Sequence, residues 1–181
     1  MKGERMERKA DVSIAEDSLG RKIVVIHEIR FKGKRKIDWN NVEQYLKQYI
    51  GKSRENADTG DLIYIGKDFP NEYSGSQDTA RLKGALAKAK ANAVLAVEWL
   101  IENAAGKRYK ENLAEKHAVN ARYGWYRLHS RFALPVLMEN GEIERYNTFC
   151  IEILIRHAAD GKMYLYDMVN VKKETSTPFQ P

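Results

Sequence analysis

Residues 126–171 constrain this chain more than any other stretch. They read as three strands, at 126–138, 146–157 and 162–171, separated by Asn140-Gly141 and Asp160-Gly161. An Asn-Gly or Asp-Gly pair between alternating apolar runs marks a hairpin, because a type I′ turn needs positive φ at both central residues. The stretch is therefore expected to be an antiparallel meander.

The first turn also sets a register. A two-residue loop at Asn140-Gly141 pairs Glu139 with Glu142 and Met138 with Ile143. Counting outward, Phe132 faces Phe149, Leu128 faces Ile153 and Tyr126 faces Ile155, so one face is apolar along most of its length. Ser130 opposite Ile151 and Leu134 opposite Asn147 are the exceptions. A one-residue slip would move every side chain to the other face and destroy this match. The opposite face then carries His129 across from Glu152, Arg131 across from Cys150 and Arg127 across from Leu154. A bulge between Pro135 and the turn would reverse the phase. The third strand stays open. A two-residue loop at Asp160-Gly161 puts Tyr166 and Met168 on the core side and Asp167 on the polar side, and a longer loop does the opposite.

The rest of the chain supplies helices to cover the sheet. Residues 1–21 are polar and read as a flexible N-terminal arm, with a short ordered piece near 12–14. Residues 23–31 are β-branched and read as a strand. Asp38 caps a helix at 39–50, whose apolar face is Val42, Tyr45, Leu46, Tyr49 and Ile50, and Gly51 stops it. A polar loop at 52–60, a short strand at 61–66 and an ordered loop at 67–77 follow. A long helix is expected over 79–104, capped by Asp78 or Ser76, with an apolar stripe from Leu82 to Leu100 and with Lys83, Lys88 and Lys90 mostly off that stripe. Residues 107–116 read as a short helix or loop. Together these give an α+β fold. An antiparallel sheet, with its C-terminal meander at 126–171, is packed by the 79–104 helix and the 39–50 helix. Residues 22–174 form one domain, and 175–181 are a flexible tail.

Composition narrows the chemistry. Net charge is +6 over 181 residues, which permits a polyanionic partner without requiring one. Cys150 is the single cysteine, so no internal disulfide forms, as suits a reducing, cytoplasmic setting. Cysteine and histidine spacing matches no zinc pattern, and no metal or cofactor is expected. No run approaches a membrane span, no signal-peptide core is visible, and no phosphate-binding glycine motif occurs. Five of the seven residues 30–36 are cationic. They form either a solvated turn or a phosphate-facing loop.

A carboxylate, an imidazole and guanidinium groups on one exposed sheet face are the parts that metal-independent RNA cleavage needs. In that scheme Glu152 is the base, His129 the acid and Arg131 the stabiliser of the phosphorane-like transition state. Arg127 and the cations Lys32, Lys34, Arg35 and Lys36 hold the backbone. His117, with Asn120, Arg122 and Tyr123 just before the sheet, is a second candidate. His129 and Glu152 also read as an ordinary cross-strand pair completed by an arginine. Tyr164 and Tyr166 can stack bases or fill the core. His27 and His157 read as structural or solvent-facing, and Cys150 as a buried or half-buried thiol.

Residues 121–136 (ARYGWYRLHSRFALPV) and 161–174 (GKMYLYDMVNVKKE) follow DLIYIG, EYSGS, an Ala-rich helix and Lys116-His117. This pattern, covering 60–174, resembles domains of the large polyvalent proteins of phages and conjugative elements. Several of those are regarded as similar to the barnase, EndoU, colicin E5/D and RelE group of ribonucleases. The resemblance implies N-terminal helices packed on an antiparallel four-stranded sheet, with catalytic residues on the sheet face or a nearby helix. His117 would match a helix-borne histidine and Arg131 a strand-borne arginine. The chain departs from that group in having no second paired histidine and no closing Ser or Thr on the last strand, since Thr175 and Thr177 come after it. The expected function is that of a mobile-element protein with a nuclease-like domain that cleaves RNA without metal. The alternative is a non-catalytic accessory module of the same fold. Expected partners are RNA or another nucleic acid, or a cognate protein, and not a membrane.

Overall fold

The computed structural model describes residues 9–33, 35–111 and 121–174. It begins with a hairpin of β1 (Val12–Glu16) and β2 (Lys22–Ile26), so part of the expected flexible arm is sheet. Helix α1 (Trp39–Leu46) is capped by Asp38, whose carboxylate accepts from the Asn40 N–H at 3.1 Å, and it runs on into a 3-10 turn at Lys47–Tyr49. The polar loop expected at 52–60 contains β3 (Ser53–Glu55), which pairs antiparallel with β4 (Leu62–Tyr64). The loop expected at 67–77 is mostly helix α2 (Phe69–Gly75).

The single helix expected over 79–104 is instead three pieces: α3 (Gln77–Arg81), α4 (Gly84–Ala93) and α5 (Val97–Glu102), with a 3-10 turn at Val94–Ala96 before the last. Ser76 caps α3, its hydroxyl accepting from the Thr79 N–H. The break follows from Leu82 and Lys83, both extended, and from Gly84, which restarts the chain at φ +57°. Glycine occupies that left-handed conformation at no steric cost. Lys90, expected off the apolar stripe, is fully buried.

Beyond α5 the charged stretch expected as helix or loop holds β5 (Ala105–Lys110). The meander follows as β6 (Trp125–Leu137), β7 (Ile143–His157) and β8 (Met163–Lys173). The fold is α+β as expected, but the sheet is mixed. Strand order is β1-β2-β6-β7-β8-β4-β3, and β2 on β6 and β4 on β8 are parallel pairs. Strand β5 also pairs with β6, on the edge that β2 uses further along.

The β6–β7 register agrees with the count from the sequence: Phe132 faces Phe149, Leu128 faces Ile153, Tyr126 faces Ile155, and His129 faces Glu152. The turn that produces it is different. Met138 N–H donates to Glu142 and Gly141 N–H to Met138, so the loop is one residue longer than a two-residue turn. Met138 therefore does not face Ile143, which pairs with Leu137. A bulge between Val136 and Leu137 leaves Glu144 as an extra residue and restores the phase. Two departures cancel, and the hairpin keeps its apolar face. On β8 the loop is likewise longer. Leu165 faces Ile155, a bulge at Tyr166 intervenes, and Met168 faces Ile153. Leu165 and Met168 both join the core, and Asp167 is buried rather than exposed.

The apolar face of the meander packs against α4 and α5 in the main core. Ser130, an exception to the apolar pattern, satisfies its buried hydroxyl by donating to the Leu100 carbonyl of α5. The other sheet face has its own apolar cluster at its β1–β2 end, of Ile23, Val25, Ala133 and Tyr146. Further along β6, β7 and β8 that face carries Arg127, His129, Glu152, Arg156 and Tyr164. No helix among the described residues is long and apolar enough to cross a membrane.

Candidate nucleic-acid interface

The polar face is built by alternation. On β6, Trp125, Arg127, His129 and Arg131 share a side, because Leu128 and Phe132 between them enter the core. On β7, Glu152 lies across from His129. Strand β5 adds Arg108, paired with Arg127.

Glu152 is the hub. It accepts from Arg127 Nη1 at 2.6 Å, from the Asn170 side-chain amide at 2.8 Å and from Arg108 Nη2 at 3.4 Å. Burial pushes its carboxyl up, but the Asn170 and Arg127 donors and the Arg127 charge outweigh that and hold it below the usual carboxylate range. His129 is exposed, and its Nε2 lies 3.1 Å from Arg108 Nη2. A guanidinium can only donate, so Nε2 in this contact accepts and the ring proton sits on Nδ1. Beside His129 a cavity of about 570 Å³ opens where β2 and β5 leave the β6 edge uncovered, with Asp58, Asn103, Gly106 and Arg131 among its lining.

Arg131 does not join Glu152, although it is a diagonal neighbour in register. Its Nε and Nη2 donate to the two oxygens of Glu174 at 2.7 and 2.8 Å, and Nη1 donates to Asp17 at 2.8 Å. Those bonds raise its pKa, Glu174 contributing most. The Asp17 carboxyl is drawn down to about 2: burial opposes this but is outweighed by backbone donors from Arg21 and Leu19 and by the Arg131 and Arg21 guanidinium groups. Arg131 is a clamp between carboxylates. His117 and Lys34 lie outside the described residues. Lys32, Arg35 and Lys36 are exposed in the loop before α1, and Arg35 and Lys36 border α3 and α4 on the helical side of the sheet. They are not brought together with Arg127. Cys150 is half-buried, and His27 bonds Ser13 and Tyr146 in a structural role.

Aromatic rings extend the face. Trp125 meets Tyr166 edge-on at a centroid separation of 4.9 Å, and the Arg156 guanidinium lies 4.4 Å over the Tyr164 ring. Arg108 and Asn170 are the two members of the Glu152 cluster that the pattern alone did not single out. Arg108 sits on β5, whose short alternation after Gly106 was its only signal. Asn170 sits on a bulge at φ 56°, a conformation that asparagine tolerates better than most residues. Among the described residues no group of three His, Cys, Asp or Glu side chains could hold a metal ion. Compared with family models, curated proteins and solved structures, the chain matches none.

Proposed function

We propose that the polar face of the meander binds single-stranded nucleic acid, with RNA the expected form. The carrying observation is the cluster in which Glu152 holds Arg108 and Arg127 side by side next to His129, with side-chain exposures of 62% for Arg108 and 36% for Arg127. One carboxylate orders two guanidinium groups without hiding them, so both can still donate to phosphate oxygens. Trp125, Tyr164 and Tyr166 lie on the flank, and stacking on aromatic rings is how sheet faces hold unpaired bases. Fluorescence polarisation with labelled single-stranded RNA tests this. Arg108→Ala with Arg127→Ala is expected to weaken binding at least tenfold and to lower the salt slope by about 1.4, the effect of two lost phosphate contacts. Equal affinity in the double variant would overturn the proposal.

A second reading, metal-independent RNA cleavage at the same cluster, is favoured by His129. Its exposed Nε2 is an acceptor, freed to take the 2′-hydroxyl proton when Arg108 turns from it to the phosphate; the two arginines suit the charge of a phosphorane, and water protonates the 5′-oxygen as its bond to phosphorus breaks. The roles then differ from those expected from the sequence: His129 is the base, and Glu152, kept ionised, orders the arginines. A cyclic-phosphate product formed in EDTA and lost in His129→Ala supports cleavage. Intact RNA at high protein concentration leaves binding alone. The mobile-element context and the nuclease-like ancestry rest on the resemblance of residues 60–174.

A further inference from the structure

The basic loop that the sheet face does not use has a setting of its own. Arg35 and Lys36 join Lys83, at the α3–α4 break, around a cavity of about 500 Å³ that Trp39 and Leu82 also line. The extended Leu82 and Lys83 open that space, since a helix continuing through them would fill it. Gly33 shapes the other rim, because a Cβ there would collide with the Lys36 carbonyl oxygen, so the turn that brings Arg35 and Lys36 over the cavity needs glycine.

Charge distinguishes this cavity. Its lining contains no Asp or Glu, whereas three other cavities among the described residues contain Asp68 and Glu72, Asp58 and Glu102, or Glu98. All three cations are exposed, and none has a carboxylate partner among the described residues. Cations held together without acids are an electrostatic cost that an anion relieves. The cavity is also too large and too apolar for an inorganic anion alone. Its volume falls in the ~300–1,000 Å³ range of small-molecule sites, and the half-buried Trp39 ring with Leu82 offers a flat apolar wall.

We propose that this cavity binds a nucleoside phosphate, with Arg35, Lys36 and Lys83 on the phosphate and the Trp39 indole against the base. It is a separate site, on the helical side of the sheet from Glu152. The ligand is either a free nucleotide or the 5′-phosphorylated end of a strand.

Calorimetric titration of the full chain with ADP, inorganic phosphate and a 5′-phosphorylated tetranucleotide tests this. ADP or the 5′-phosphorylated strand is expected to bind saturably, and which of the two binds assigns the source. An Arg35→Ala, Lys36→Ala, Lys83→Ala variant is expected to lose at least tenfold in affinity with an unchanged melting temperature, since all three side chains are exposed. Trp39→Leu is expected to weaken the nucleotide and leave inorganic phosphate unaffected. Arg108→Ala with Arg127→Ala leaves ADP binding intact, which separates failure here from failure of the sheet-face proposal. Neither probe binding at about 1 mM, equal binding in the triple variant, or inorganic phosphate competing as well as ADP would each overturn the assignment.

Discussion

Lys90 is the side chain whose setting departs furthest from what its sequence position implies. Its ammonium is fully buried, 2.8 Å from Asp78 and 3.1 Å from Asp167, and it lies over the Tyr73 ring. Removing one member of a buried ion cluster strands the rest, at a cost of about 3–5 kcal/mol. Lys90→Met is therefore expected to lower stability by about that much in urea denaturation. Adding Asp78→Asn and Asp167→Asn to the same chain is expected to recover most of the loss. Asp167 also carries a pH signature. Burial pushes its carboxyl up to about 6 from an ordinary 3.8, with Lys90 partly offsetting this. A raised acid favours the folded state when protonated. Its contribution is full below about 3.8 and gone once pH has risen through about 6. Stability measured between those limits is expected to fall more steeply with rising pH in the wild type than in Asp167→Asn. A parallel pair of profiles would show that Asp167 titrates normally. None of this was legible beforehand. A lysine in an alanine-rich helix looks like a solvent-facing residue. Its partner Asp167 lies 77 positions on, in a strand whose phase depended on a bulge that no residue pattern marks.

The meander shows the opposite case, in which the element was readable although its turn was not. Alternating apolar residues on both strands specify one pairing so strongly that a longer loop at Asn140-Gly141 is compensated by the bulge at Glu144. The energetic weight lies in the buried face, so the turn geometry adapts to it. The long helix failed for the matching reason: its apolar stripe runs unbroken, while the break at Leu82–Lys83 depends on one glycine that a helix can tolerate. Strand β5 was hidden because its pattern is short and its side chains mostly exposed. A glycine holds it in place. Gly124 sits at φ +96°, and a Cβ there would lie 2.8 Å from the Lys110 carbonyl oxygen on β5. Gly124→Ala therefore adds a backbone collision to left-handed strain. It is expected to cost about 2–4 kcal/mol and to speed amide exchange along β5, against about 1–2 kcal/mol for Gly141→Ala, which has left-handed strain but open space around it. Equal costs for the two would mean that β5 yields without resistance.

At the scale of the whole molecule, one residue ties together segments that the chain order keeps apart. Arg131 stands on β6, Asp17 in the β1–β2 turn, and Glu174 just past the end of β8, so a single guanidinium joins both flanks of the five-strand run from β1 to β8. The side chain of Arg131 is 18% exposed, covered enough for its charge to need these partners. The geometry is bidentate toward Glu174, which a lysine ammonium cannot reproduce. Arg131 thus acts on the site by fixing the curl of the face that presents Arg108, Arg127 and His129, and it need not touch a ligand. Arg131→Lys is expected to behave nearly as badly as Arg131→Met, each lowering the melting temperature by on the order of 5 °C. Acid sensitivity separates a clamp from a merely buried arginine. Asp17, drawn down to about 2, contributes stability that is present above its ordinary 3.8 and lost as pH falls toward 2. In Arg131→Met that loss on acidification is expected to shrink, because Asp17 no longer has the guanidinium that helped lower it. Melting profiles of wild type and variant that converge as pH falls from about 4 to 2 would support the clamp. Profiles that stay a constant distance apart would show that Arg131 contributes only its packing.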